Sequence, residues 1–335
     1  MKTFLFTLLI FLLSLLVKAQ VPSIEWQKSL GGSAWDEVHS ISQTTDGGYI
    51  VAGYKTDIQN HFDYWIVKLS STGLVTWQKS FGGSGTDNAN SIKQTTDGGY
   101  IIAGYSNSND GDITGNKGST DYWIVKISSS GNIEWQKSLG GTWEEQAYSI
   151  QHTSDGGYIV AGNSISTDGD VTGNNGLYDY WVVKLSSTGN IIWQKSMGGS
   201  GSDGASSIKQ TTDGGYIIAG YSNSNDGDVS GNHGDNDYWV VKTNNLGSIE
   251  WQKSFGGSGI DEAHSVQQTL DGGFIVAGRT NSTDGDVTGN NGLNDCWVVK
   301  LSNTGTIVWQ KSFGGSLNDD ARSIEQTSDG GYIIA

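Results

Sequence analysis

A repeat of 58 residues is the feature that most restricts how this chain can fold. Trp-Gln-Lys-Ser recurs with its tryptophan at 26, 77, 135, 193, 251 and 309, the first spacing being 51 residues and the others 58. Asp-Gly-Gly followed by Tyr or Phe begins at Asp46, Asp97, Asp155, Asp213, Asp271 and Asp329 with the same spacings. Asp-Tyr-Trp begins at Asp63, Asp121, Asp179 and Asp237, with Asp-Cys-Trp at Asp295. A repeat too small to bury its own apolar surface must stack on its copies, so register between units is settled by the sequence.

Each unit contains four short runs rich in β-branched and aromatic residues, separated by Gly, Asn, Asp and Ser. In residues 205–255 they read ASSIKQT, GYIIAGY, DYWVVKT and SIEWQKSF. Asp213-Gly214-Gly215 joins the first two as a tight hairpin, and Asn244 to Gly247 joins the last two. The unit is therefore a four-stranded antiparallel meander. Its middle strands, such as Gly157 to Gly162, are apolar on both faces and need cover on both sides. Neighbouring units must supply that cover, which predicts an all-β fold, a β-propeller, rather than a sandwich or solenoid. Units begin near residues 33, 84, 142, 200, 258 and 316, giving five complete blades and part of a sixth. Ile24 to Leu30 is expected to be an orphan outer strand, and the stop at Ala335 inside a second strand predicts a truncated propeller. Eleven of the 19 basic residues are the lysines of Val-Lys and Trp-Gln-Lys, expected on outer strands where they discourage edge pairing.

Composition removes several functions. A formal net charge of −16 disfavours nucleic-acid binding, and one cysteine excludes an intrachain disulfide and a cysteine-based zinc site. Fifty glycines with 13 tryptophans and one proline fit turns in a folded chain rather than disorder. At the N-terminus, Lys2 precedes an apolar run from Phe4 to Val17, and Val17-Lys18-Ala19 offers small residues for cleavage before Gln20. Residues 1–19 thus read as a signal peptide and 20–335 as the propeller of a secreted or cell-surface protein, with no transmembrane segment after cleavage.

The segment DYWVVKLSSTGNIIWQKSMGG at 179–199, together with the DGGYIVAG-type runs, resembles the secreted bacterial β-propeller repeats called SBBP. Its strand, Thr-Gly, strand and Trp arrangement is also similar to the tryptophan-docking repeats of quinoprotein-like propellers. The resemblance covers residues 24–335 and implies an exported propeller of a kind that often carries a type IX secretion sorting domain. Some proteins of this kind are labelled endoglucanases. A quinone cofactor is not expected, because the matching tryptophans read as structural.

Two acidic loop classes are candidates for chemistry. The loop leaving each outer strand carries Asp36, Asp87, Glu145, Asp203, Asp261 or Asp319. These side chains serve either a ligand or the caps between blades. The loop between strands two and three carries Asp-Gly-Asp at Asp110 and Asp112, Asp168 and Asp170, Asp226 and Asp228, and Asp284 and Asp286. Close carboxylates with Asn116, Asn174, Asn232 and Asn290 nearby suit calcium, although the same residues make ordinary turns and no EF-hand pattern is present. Trp35 and Trp143 alone stand outside the repeat pattern, in the first loop class, and are candidate platforms for sugar rings or covers for the blade below.

Catalytic residues are not assigned. His39 and His264 share a register with Asn90, Tyr148, Ser206 and Arg322, read as a variable surface position. Adjacent Glu144 and Glu145 would diverge on a strand rather than flank one glycosidic bond. Cys296 stands where other units have tyrosine and reads as a packed, inert thiol. The expected function is a secreted binding or interaction module for a polysaccharide or protein ligand, with calcium as a structural ion. Alternatives are a carbohydrate-active hydrolase, or a structural scaffold for a further C-terminal region.

Overall fold

The β-branched runs between glycine-rich turns form strands almost wherever they occur. The computed structural model describes residues 23–56, 59 and 61–335, so the expected signal peptide lies outside the described residues. Among these, five units form four-stranded antiparallel sheets in meander order and the sixth contributes a two-stranded sheet. In the fourth unit the inner strand is Asp203–Gln210, followed by Tyr216–Ser222, Asp237–Thr243 and the outer strand Ile249–Phe255. The fold is a β-propeller, and no described helix is long and apolar enough to cross a membrane.

Alternation along the middle strands explains why one unit cannot stand alone. Ile159 and Ala161 of the third unit pack with Ala205, Ile208, Ile218 and Val241 of the fourth. The alternate residues Tyr158 and Val160 pack with Ile101, Ala103 and Ile124 of the second. Each middle strand therefore contributes to two cores, one on each side. Burial of each such Val or Ile stabilises by about 1.5–3 kcal/mol, and all of it depends on a neighbour being present.

Directional contacts add register to this packing. The Asp-Tyr-Trp tyrosine reaches across each junction: Tyr180 donates its hydroxyl to the Trp239 carbonyl at 2.8 Å, with ring centroids 4.5 Å apart. Tyr64, Tyr122 and Tyr238 do the same to Trp123, Trp181 and Trp297. The outer-strand tryptophans are half-buried covers. Trp135 lies against Tyr158 and over Gly189, whose φ of 77° and missing Cβ both favour glycine there.

Two expectations change. Residues 24–30 form no strand, yet Trp26 stands over Gly73 and against Tyr49, the seat that outer-strand tryptophans take elsewhere. Side-chain packing holds this segment without a hydrogen-bonded ladder. Nor are all 11 repeat lysines edge devices. Lys68, Lys126, Lys184, Lys242 and Lys300 are buried, and each pairs with the aspartate of its own unit's Asp-Gly-Gly turn. Lys184 Nζ lies 2.9 Å from Asp155 Oδ2 and also donates to Thr153 and the Leu185 carbonyl. Against the upward push of partial burial, hydrogen bonds from the Thr153 hydroxyl, the Lys184 ammonium and the Gly157 amide together hold the Asp155 carboxyl down at about 2.

Candidate functional site

Every complete inner strand carries one residue too many for its partner. In the third unit Ala147 pairs with Gly162 and Ser149 with Ala161, leaving Tyr148 outside the ladder. His39, Asn90, Ser206 and His264 are bulged at the same register. The facing glycine permits this, because a Cβ on Gly162 would overlap the Gln146 carbonyl oxygen. A β-bulge redirects its extra side chain. Here it delivers His39, Asn90, Tyr148, Ser206 and His264, with Arg322 of the sixth unit, to one cavity of about 620 Å³ to which all six units contribute. The register read as variable surface is thus the axial lining, the one place where near-identical blades present different chemistry to a shared space.

The lining is polar and internally paired. His39 Nδ1 lies 3.0 Å from Asn90 Oδ1, and its Nε2 lies 3.4 Å from Glu37 Oε1. Tyr54 donates to the other Glu37 oxygen at 2.9 Å. At the fifth and sixth units His264 Nε2 stands 3.2 Å from Asp320 Oδ1 without a hydrogen bond between them, and Arg322 pairs the other Asp320 oxygen at 2.8 Å. Burial pulls the His264 imidazole below its usual value despite the attraction of Asp320, and burial pushes the Tyr148 and Tyr221 hydroxyls up. Asn163, only 7% exposed, belongs to the cavity wall, and its amide oxygen, which has no hydrogen-bond partner, is closed off from solvent. An aromatic and polar lining suits a ligand rich in hydroxyl or amide groups.

The linker acids sit at the starts of the inner strands rather than in open loops. Asp87, Glu145, Asp203 and Asp261 are fully buried. Asp203 accepts from the Gly199 amide and the Ser224 hydroxyl, and Asp87 and Asp261 repeat the pattern. Glu145 accepts from Gly141 and Ser164. Asp36 and Asp319 cap Gly32 and Gly315 in less buried versions. In this geometry all six serve the blade connections.

The Asp-Gly-Asp loops act as clasps on those same connections. Asp110, Asp168, Asp226 and Asp284 each accept a backbone amide, from Ser84, Thr142, Ser200 and Ser258, at 2.7 Å. Asp112, Asp170, Asp228 and Asp286 accept from Gly82, Gly140, Gly198 and Gly256 and return their own amides to those glycine carbonyls. The amide oxygens of Asn116, Asn174, Asn232 and Asn290 accept backbone amides two residues on. Among the described residues no group of three His, Cys, Asp or Glu is placed to hold a metal.

Trp35 and Trp143 are 82% and 62% exposed, in the connections entering the first and third units. Trp35 lies beside Glu37 and Tyr54, so it borders the axial lining. Glu144 is held by the Tyr178 hydroxyl and its neighbour Glu145 is buried, so the two diverge as expected. Sequence reasoning missed Asn163, Tyr221, Glu37 and the axial role of the bulged register. The available signal was a glycine inside every second strand, facing a position whose identity changes from unit to unit.

No family model matches this sequence, and no curated protein matches it. Among solved structures the chain is similar to a protein of unknown function from Bacteroides caccae, at 14% identity over 88% of this chain and 89% of that one, with a TM-score of 0.47. It is similar to the Pan2 WD40 domain of Neurospora crassa at 10% identity, over 89% of this chain and 86% of that one, with a TM-score of 0.48. It is also similar to the periplasmic gluconolactonase of Pseudomonas aeruginosa at 12% identity, over 84% of this chain and 71% of that one, with a TM-score of 0.48.

Proposed function

We propose that this propeller is a secreted or cell-surface binding module that takes a glycan into its axial cavity. The observation that carries the reading is the cavity itself: six units converge there and their side chains differ there. His39, Asn90 and Ser206 offer polar groups to sugar hydroxyls, and Tyr148 and Tyr221 give flat apolar faces beside them. Trp35 and Trp143 extend the aromatic surface to the exposed connections.

The test is a polysaccharide panel incubated with the protein, scored for bound protein and for new reducing ends. Retention without release is expected, weakened by Tyr148→Ala and by the pair Trp35→Ala and Trp143→Ala. Release of reducing ends would make the protein a hydrolase and direct mutagenesis to Glu37 and Asp320. Absence of both signals would reject the glycan reading in favour of a protein ligand or a scaffold.

A further inference from the structure

The blade junctions contain paired acids that the binding reading leaves unused. In the second, third and fourth units the third strand opens with an aspartate, Asp121, Asp179 or Asp237, and the inner strand of the next unit opens with a linker acid, Glu145, Asp203 or Asp261. In three junctions both members are fully buried: Asp121 with Glu145, Asp179 with Asp203, and Asp237 with Asp261. They meet over the first glycine of the connection. A Cβ on Gly198 would stand 2.6 Å from Asp179 Oδ1 and 2.5 Å from Asp203 Oδ2, so only glycine leaves room for the two carboxyls.

Their hydrogen bonds are one-sided. Asp121, Asp179 and Asp237 accept the amides of Lys117, Asn175 and His233 on Oδ2, while Oδ1 of each has no partner. The facing acids accept the amides of Gly141, Gly199 and Gly257 and nearby serine hydroxyls. Two ionised carboxylates buried together repel, and among the described residues the cations near them are His233, 2.8 Å from Asp237, and Lys117, which acts on Asp121 from its own ion pair with Asp170. A carboxylic O–H changes this, because it converts the orphan acceptor into a donor beside the neighbouring acid, whose oxygen lies against the same glycine.

We propose that each of these three junctions holds one proton between its two carboxyls, making the docking of successive blades a protonation-linked contact. The groups facing each pair agree. Around Asp121 stand Glu145, Asp170 and Lys117, around Asp179 stand Asp203 and Asp228, and around Asp237 stand His233 and Asp261. Burial first, with the neighbouring acids adding to it, lifts Asp121 and Asp179 to about 7; burial lifts Asp237 to about 6 against the pull of His233. A carboxyl whose folded value exceeds its unfolded value of 3.8 stabilises fully below that value. The contribution is lost as pH rises through the folded value, here between about 4 and 7.

The experiment compares the protein with the triple variant Asp121→Asn, Asp179→Asn and Asp237→Asn, whose amides imitate the protonated acid. Thermal unfolding is followed with chelator at about pH 5 and about pH 8. The expected result is a lower melting temperature at the higher pH for the parent, and a smaller fall for the variant, which then melts above the parent in alkali. Infrared spectra of the parent in deuterated buffer near neutrality should show a protonated-carboxyl band, a reading that needs no variant. A parent melting temperature that is flat or rising over this interval, without that band, overturns the proposal. So does restoration of the alkaline melting temperature by calcium, which would place a cation between the acids.

Discussion

Removing one tyrosine hydroxyl isolates what the cross-blade bond contributes. In Tyr180→Phe the ring keeps its place against Trp239, and only the 2.8 Å bond to the Trp239 carbonyl is lost. Both side chains are fully buried, so water does not replace the donor. A net hydrogen bond is worth about 1 kcal/mol, and a buried carbonyl left short of its donor raises the cost to about 1–3 kcal/mol. The four equivalent tyrosines, Tyr64, Tyr122, Tyr180 and Tyr238, act at separate junctions. Their losses should therefore add, to roughly 4–12 kcal/mol for the fourfold phenylalanine variant. Urea unfolding followed by tryptophan fluorescence reads the single variant as a lower midpoint at unchanged slope. An unchanged midpoint for Tyr180→Phe would refute the reasoning, because the strand ladder alone would then satisfy the Trp239 carbonyl.

Lys184→Met keeps the apolar stem and removes the ammonium that closes the Asp155 turn, and should cost about 1–2 kcal/mol in the same assay. Because the folded Asp155 carboxyl lies below its ordinary value, the clamp stabilises above about pH 4 and is lost as pH falls toward 2, so acid unfolding of Lys184→Met should be less pH-dependent than the parent's. Gly162→Ala forces a methyl into the Gln146 carbonyl and toward the Tyr122 hydroxyl, and should cost more than about 2 kcal/mol or prevent soluble expression. Burial raises the Cys296 thiol above its ordinary value, so at neutral pH a maleimide should label it many times more slowly in the folded protein than in urea.

The architecture was legible because its signals are local or periodic. Asp-Gly-Gly marks the hairpin, alternating apolar residues mark a strand covered on both faces, and the 58-residue spacing puts each unit beside its copy. The axial site was illegible for a mechanical reason. Ala-Tyr-Ser at 147–149 reads as ordinary strand alternation, and only the ladder reveals that Tyr148 is an insertion opposite Gly162. The clamp lysines were misjudged because Lys184 and Asp155 are 29 residues apart and meet only when the second and third strands pair. The aspartates of the loops carry one composition for turn, cap and metal ligand, and which backbone amide each one meets is decided by the adjacent connection.

The bulge has an evolutionary consequence. Because Tyr148 and its counterparts contribute no pair to the ladder, exchanging one for another leaves the register of their strands intact. The interblade cores are built from other positions, Ala147 and Ile150 among them. A gene that lengthens by copying one unit can therefore keep its frame nearly uniform while a single codon per copy drifts or is selected. Each arrangement of those codons makes a new lining for the same pore, much as a fixed immunoglobulin framework carries different loops. In this chain the six codons spell histidine, asparagine, tyrosine, serine, histidine and arginine at positions 39, 90, 148, 206, 264 and 322.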